Sequence, residues 1–240
     1  MTLELCYLEI GGCRIACRRR PGSSPTLLFL PGYASDMDGA KALAIDAFAE
    51  RRGLAMLRFD YSGTGLSGGS FEEGTLDGWL AEALAMLNQM TNGPVIVVGS
   101  SMGGWIALHL ALERPDRVAA LVGIAAAPDF TDWGFNDAER AQLAAAGRLE
   151  QPQLVTHAFW KSGQRLCLLD TPLDIACQVR LVHGELDADV PLSVAYRLLQ
   201  QLRSGDVHLT IVKGGGHRLS EPHEIKTIVR MVAGIVDSAP

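Results

Sequence analysis

The sequence predicts an α/β fold: a mostly parallel sheet of eight strands with helices on both faces, opened by an antiparallel strand pair and interrupted once by a small helical insertion. Three observations carry this reading. Four short apolar runs, TLLFL, LAMLRF, PVIVVG and VAALVGIA, lack polar alternation, the pattern of strands covered on both sides. Segments with apolar residues at helical spacing separate these runs, so strand and helix alternate along the chain. The 240 residues, 48% hydrophobic and 20% charged, have an ordinary globular composition. A chain of this length can bury roughly 70% of its unfolded surface, so it needs no disulfide or metal staple.

The elements follow in order. Residues 3–10 and 13–19 are strand-like and flank Gly11-Gly12, which predicts a hairpin and hence the antiparallel start. The apolar runs then supply strands at 26–30, 54–59, 94–99 and 118–125. Between them, residues 40–52 repeat Leu43, Ala47 and Phe48, and residues 76–90 repeat Leu80, Leu84 and Leu87, each at helical spacing. A third helix, 102–113, starts directly after a strand. After Ala127 the rhythm stops, and residues 128–178 read as an inserted cap with an Ala-rich helix at 136–147 and a second helix at 153–161. From Val179 strand, helix, strand and helix resume. Neither an internal repeat nor a linker interrupts the chain, so residues 1–240 are expected to form one domain.

Charge and cysteine usage exclude several functions. With 21 Lys and Arg against 27 Asp and Glu the net charge is −6, which argues against nucleic-acid or anionic-lipid partners. The five cysteines, 6, 13, 17, 167 and 177, contain no C-x-x-C pair, so neither a disulfide framework nor a zinc site is indicated, and a reducing compartment is the simpler reading. Glu4 and Glu9 fall within the first ten residues and no apolar run suits a signal peptide or a membrane span, so a cytoplasmic location is expected. The basic CRIACRRR stretch reads as a strand running into a solvated turn.

One motif stands out chemically. Gly99, Ser101 and Gly103 match G-x-S-x-G between a strand and a helix, the context of a nucleophile elbow, in which small residues let the backbones approach and leave the serine at the apex. An attacking hydroxyl needs a base, and the base needs an acid to fix its tautomer. His217, after Gly214-Gly215-Gly216, is the candidate base, with His223 the weaker competitor. Asp187, in VRLVHGELDADVP, is the candidate acid, with Asp189 its rival. The developing oxyanion needs two donors, and the backbone N–H groups of Met102 and Tyr33 are the candidates, Tyr33 lying in the Leu30-Pro31-Gly32-Tyr33 turn. Asp60 reads as a cap on the amides of its own Gly-rich turn. In the insertion, Phe130, Trp133, Phe135, Phe159 and Trp160 concentrate aromatic surface, and Phe159 and Trp160 are taken as the substrate wall. The sequence holds no Walker loop, dinucleotide fingerprint or His/Cys cluster, so no cofactor and no metal are implied.

Through GSSMGG, HGELDADVP and GGGH, taken together and in that order, the chain resembles the α/β-hydrolase superfamily. Within it the resemblance is closer to the mitochondrial acyl-protein (palmitoyl) thioesterase and acyl-glucuronide esterase branch, in LPGYASDMDGAKALA, LRFDYSGTGLSGG, VVGSSMGGWIALHLALERPDRVAALVGIA and CLLD. The resemblance implies an α/β-hydrolase fold in which Ser101, Asp187 and His217 are nucleophile, acid and base. It implies small-molecule esters or thioesters as substrates, or alternatively S-acylated proteins. The relatives' mitochondrial address is not expected to carry over, because the sequence opens without a presequence. Two alternatives stay open: an acyl-glucuronide, lactone or short-chain carboxylester hydrolase, and a ligand receptor or scaffold on a hydrolase fold.

Overall fold

In the computed structural model, which describes residues 3–151 and 153–238, the chain forms an eight-stranded sheet in the order β1-β2-β4-β3-β5-β6-β9-β10. Strands β1 (Glu4–Ile10) and β2 (Cys13–Arg20) pair antiparallel through the Gly11-Gly12 turn, and β2 pairs antiparallel with β4 (Leu54–Phe59). The remaining strands, β3 (Ser23–Leu30), β5 (Val95–Ser100), β6 (Val118–Ile124), β9 (Gln178–Gly184) and β10 (Val207–Val212), continue from β4 as a parallel sheet.

The apolar runs behave as the absence of alternation requires. Successive side chains of a strand point to opposite faces, so each apolar run feeds two cores. Leu28, Leu30 and Val97 pack on one face against Trp79 and Leu80 of α2 (Leu76–Met90) and Trp105 of α3 (Met102–Glu113). Leu27, Phe29 and Ile96 pack on the other against Ile45 and Phe48 of α1 (Ala40–Arg52) and Ile228 and Val232 of α8 (Pro222–Ser238). Between β9 and β10, α7 (Leu192–Gln201) adds Val194 and Leu198 to the first core.

Between β6 and β9 lie α4 (Phe130–Trp133), α5 (Asp137–Ala146), the two-residue strands β7 (Arg148–Leu149) and β8 (Val155–Thr156), and α6 (His157–Arg165). Helix α5 opens with a capping box, in which Asn136 accepts from the Glu139 N–H and Glu139 accepts from the Asn136 N–H, and it closes at Gly147 in the left-handed conformation. The second helix of this segment starts later than its sequence suggests. Val155 and Thr156 are strand, paired with Leu149 and Arg148, and Thr156 then caps α6 by accepting from the Phe159 N–H. Among the described residues no helix is long and apolar enough to cross a membrane.

Candidate active site

Ser101 sits where β5 turns into α3, with φ 53° and ψ −118°, a conformation that a non-glycine residue holds only when its surroundings force it. Here the forcing bonds are visible. The Ser101 N–H donates to the Ile124 carbonyl, while its own carbonyl accepts from Gly104 and Ala127. The two motif glycines are required by close approach. A Cβ at Gly99 would lie 2.2 Å from the Gly103 carbonyl oxygen, and one at Gly103 would lie 2.2 Å from the Leu30 carbonyl oxygen. The turn therefore closes only with glycine at both places, which leaves the serine hydroxyl at the apex.

The partners arrive from the carboxyl ends of β9 and β10, whose following loops are tied together. Leu186 N–H donates to the Gly215 carbonyl at 2.8 Å, and Gly214 N–H donates to Glu185 Oε2 at 2.9 Å. This places His217 Nε2 3.1 Å from Ser101 Oγ and His217 Nδ1 2.9 Å from Asp187 Oδ2. With Nδ1–H donating to the carboxylate, Nε2 is left to accept the serine proton. Asp187 Oδ1 accepts from the N–H groups of Val190 and Asp189 at 2.8 and 3.0 Å, and the side chain is only 1% exposed. Burial pushes the Asp187 carboxyl up, but the hydrogen bonds from His217 and Val190 outweigh it and hold it below the ordinary carboxylate value.

The competing residues lie elsewhere. Asp189 is exposed, and among the described residues its side chain has no partner; it contributes its N–H to Asp187 instead. His223 is exposed in the first turn of α8, where its carbonyl accepts from Thr227.

The N–H groups of Tyr33 and Met102 have no acceptor among the described residues. Met102 is the first residue of α3, so its N–H belongs to the unpaired, electropositive end of the helix. The loop carrying Tyr33 is held from three directions. The Tyr33 phenol donates to the Leu154 carbonyl at 2.6 Å, its ring lies 5.1 Å from Phe71 and 4.7 Å from Phe159 between centroids, and Asp60 Oδ1 accepts from the Met37 N–H at 2.6 Å. Asp60 also caps its own turn, Oδ2 accepting from Leu66 at 2.8 Å. Its second bond, across 23 residues to the Tyr33 loop, has no local signal in the sequence. Burial raises the Asp60 carboxyl.

A cavity of about 860 Å³ opens above Ser101 and His217. Its apolar wall includes Phe130, Trp133, Phe135, Leu149 and Val155, and its polar side includes Lys41, Asp189 and Arg218. Phe159 and Trp160 do not line it, which corrects the sequence expectation. Phe159 is buried against Tyr33, Trp79 and Phe130. Trp160 donates its indole N–H to the Thr131 carbonyl at 2.8 Å and stacks on His157. Phe159 fastens α6 to Tyr33 and Trp79 outside the segment 128–178, Trp160 ties α6 to α4 within it, and the residues on and after α4 form the wall. Among the described residues no cluster of three or more His, Cys, Asp or Glu is placed to hold a metal ion.

Comparison with known proteins agrees with this architecture. Residues 25–171 match the family described as the alpha/beta hydrolase fold. The chain is 36% identical over 234 residues to a mitochondrial palmitoyl-protein thioesterase of Homo sapiens, covering 93% of this chain and 76% of that protein. Among solved structures it is similar to alpha/beta hydrolase domain-containing protein 10 from mouse, with TM-score 0.93, 34% identity and 98% of each chain covered. Est1E from Butyrivibrio proteoclasticus, solved with ferulic acid bound, shares the fold at TM-score 0.82 and 21% identity, over 96% of this chain and 97% of that one.

Proposed function

The chain belongs to the α/β-hydrolase fold family and is a hydrolase of esters or thioesters, and from that premise we propose how its residues act. Ser101 is the nucleophile, His217 the general base and Asp187 the acid that fixes the imidazole tautomer. The observation that carries this reading is the unbroken chain of contacts from Ser101 Oγ through His217 to Asp187, at 3.1 and 2.9 Å.

His217 Nε2 takes the hydroxyl proton as Ser101 Oγ attacks the acyl carbon. Negative charge collects on the carbonyl oxygen, where the Tyr33 and Met102 N–H groups, spared by the fold from other bonds, stabilise it. His217 returns the proton to the departing thiol or alcohol, leaving an acyl-Ser101 ester. It next removes a proton from water, which attacks that ester; the bond from the acyl carbon to Ser101 Oγ breaks, Oγ takes the proton back from His217, and the acid leaves. Asp187 stays ionised throughout, consistent with a carboxyl held below its ordinary value.

The segment 128–178 acts as the cap over this chemistry within a single domain, and its wall at Phe130, Trp133 and Phe135 receives the acyl chain. By analogy with the human relative, a palmitoyl-protein thioesterase, the favoured substrates are long-chain thioesters, S-acylated proteins among them. The test is Ser101→Ala beside Ser100→Ala. The first should lower kcat for thioester hydrolysis at least ~10³-fold and the second only slightly, whereas equal and small losses would remove Ser101 from the role.

A further inference from the structure

The hairpin that opens the sheet holds two thiols that the hydrolytic chemistry does not use. Cys6 of β1 and Cys17 of β2 are direct partners in the antiparallel register, and their sulfurs are in contact at 2.6 Å, with the Cys6 thiol also 3.5 Å from the Cys17 carbonyl oxygen. Directly opposed residues of an antiparallel pair have Cα atoms about 4.5 or 5.5 Å apart, and both spacings fall within the roughly 4.4 to 6.8 Å that a disulfide spans. The strand register itself therefore brings the pair into disulfide range. The pair is also asymmetric. Cys17 is fully buried, while Cys6 lies on β1, the edge strand, and is partly open to solvent.

We propose that Cys6 and Cys17 are an oxidation site: a peroxide converts them to a reversible cross-strand disulfide that fastens β1 to β2. The exposed member reacts first. The Cys6 thiolate attacks one peroxide oxygen, the O–O bond breaks, and Cys6 becomes a sulfenic acid with release of water once protons are counted. The Cys17 sulfur then attacks the Cys6 sulfur, the S–O bond breaks and a second water leaves, so two thiols and one hydrogen peroxide give one disulfide and two waters. The buried Cys17 meets no oxidant directly and serves as the resolving thiol, its proton passing to the departing hydroxyl as the S–O bond breaks. The other three cysteines do not form part of this pair: Cys13 pairs in register with Ile10, and Cys167 and Cys177 lie far along the chain between α6 and β9.

The experiment treats the full-length protein with hydrogen peroxide, counts thiols after denaturation and maps peptides under non-reducing conditions. The expected result is a fall from five titratable thiols to three, a linked peptide pair containing Cys6 and Cys17, full recovery with dithiothreitol, and loss of the linkage in Cys6→Ser. The bridged form should also melt several degrees higher than the reduced form, since a closed loop of this size restricts the unfolded chain. Cys6 driven to sulfinic or sulfonic acid while Cys17 stays a free thiol would overturn the proposal. So would five free thiols at peroxide doses that oxidise exposed methionines, or a linkage that persists in Cys6→Ser.

Discussion

Replacing Asp187 by asparagine should abolish most of the activity without unfolding the protein, and the hydrogen bonds around the carboxylate say why. One oxygen, Oδ1, accepts from the N–H groups of Val190 and Asp189, and the other, Oδ2, accepts from His217 Nδ1. An asparagine can enter in two orientations. With its NH2 group at the Oδ1 position, two backbone donors would face a third, costing about 2 to 6 kcal/mol at roughly 1 to 3 kcal/mol for each buried donor left unpaired. With NH2 at the Oδ2 position, both backbone bonds survive, and His217 needs only to move its proton from Nδ1 to Nε2. The second orientation is therefore the stable one, and in it Nε2–H points at Ser101 and can no longer take the serine proton. Holding a triad histidine in the wrong tautomer lowers kcat about 10⁴-fold, equivalent to about 5 kcal/mol of transition-state stabilisation. Asp189→Asn, at an exposed side chain without a partner among the described residues, should stay within about threefold of the parent. The assay is kcat for a p-nitrophenyl ester and an acyl thioester, with thermal melts to confirm that both variants fold. An Asp187→Asn enzyme within tenfold of the parent, or an equal loss at Asp189, would refute the tautomer argument.

Two further outcomes follow from the cavity and the buried acids. Alanine at Trp133 should flatten the rise of kcat/KM with acyl length, which on the parent should reach up to about fourfold per added methylene at ~0.8 kcal/mol each, whereas alanine at Trp160 should lower all chain lengths by a common factor; a profile from acetyl to decanoyl thioesters reads both. Glu82, buried in α2 where it accepts from the Ser62 N–H at 2.9 Å, has its carboxyl raised by burial, so its contribution to stability is complete below the unfolded value of about 4.3 and is lost as pH rises through the higher folded value; the melting-temperature advantage of Glu82→Gln over the parent should grow from pH 4 to pH 8, and a constant difference would contradict it.

The elbow was legible in the sequence because its constraints are local. Gly99 and Gly103 are demanded by backbone atoms a few residues away or in the adjoining strand, and a strand-to-helix switch leaves a plain trace in hydrophobic period. The apolar strands were legible for the same reason, each feeding two cores. Contacts between distant segments left no such trace. Asp187 and Asp189 share one loop, and only the meeting of the β9 and β10 loops brings the first to His217. The aromatic residues of 128–178 announce a covering segment, but which of them face the cavity depends on how α4 and α6 dock, and there Phe159 turns into the core while Trp133 lines the opening. Asp60 has a local role visible in its Gly-rich turn and a remote one, at Met37, that is not. The Cys6–Cys17 contact depends on strand register, which the Gly11-Gly12 turn sets and which spacing alone does not display.

The central claim is that Ser101, activated by His217, forms a covalent acyl-enzyme, and reaction with a fluorophosphonate tests it most directly. Such a reagent captures only a serine whose proton is being removed beside an oxyanion site. Intact mass and peptide mapping should show one adduct per chain, on Ser101, formed in parallel with loss of thioesterase activity, absent in Ser101→Ala and slowed severalfold or more in Asp187→Asn. An unlabelled protein that still hydrolyses thioesters, or inactivation accompanied by an adduct on any other residue, would contradict the account.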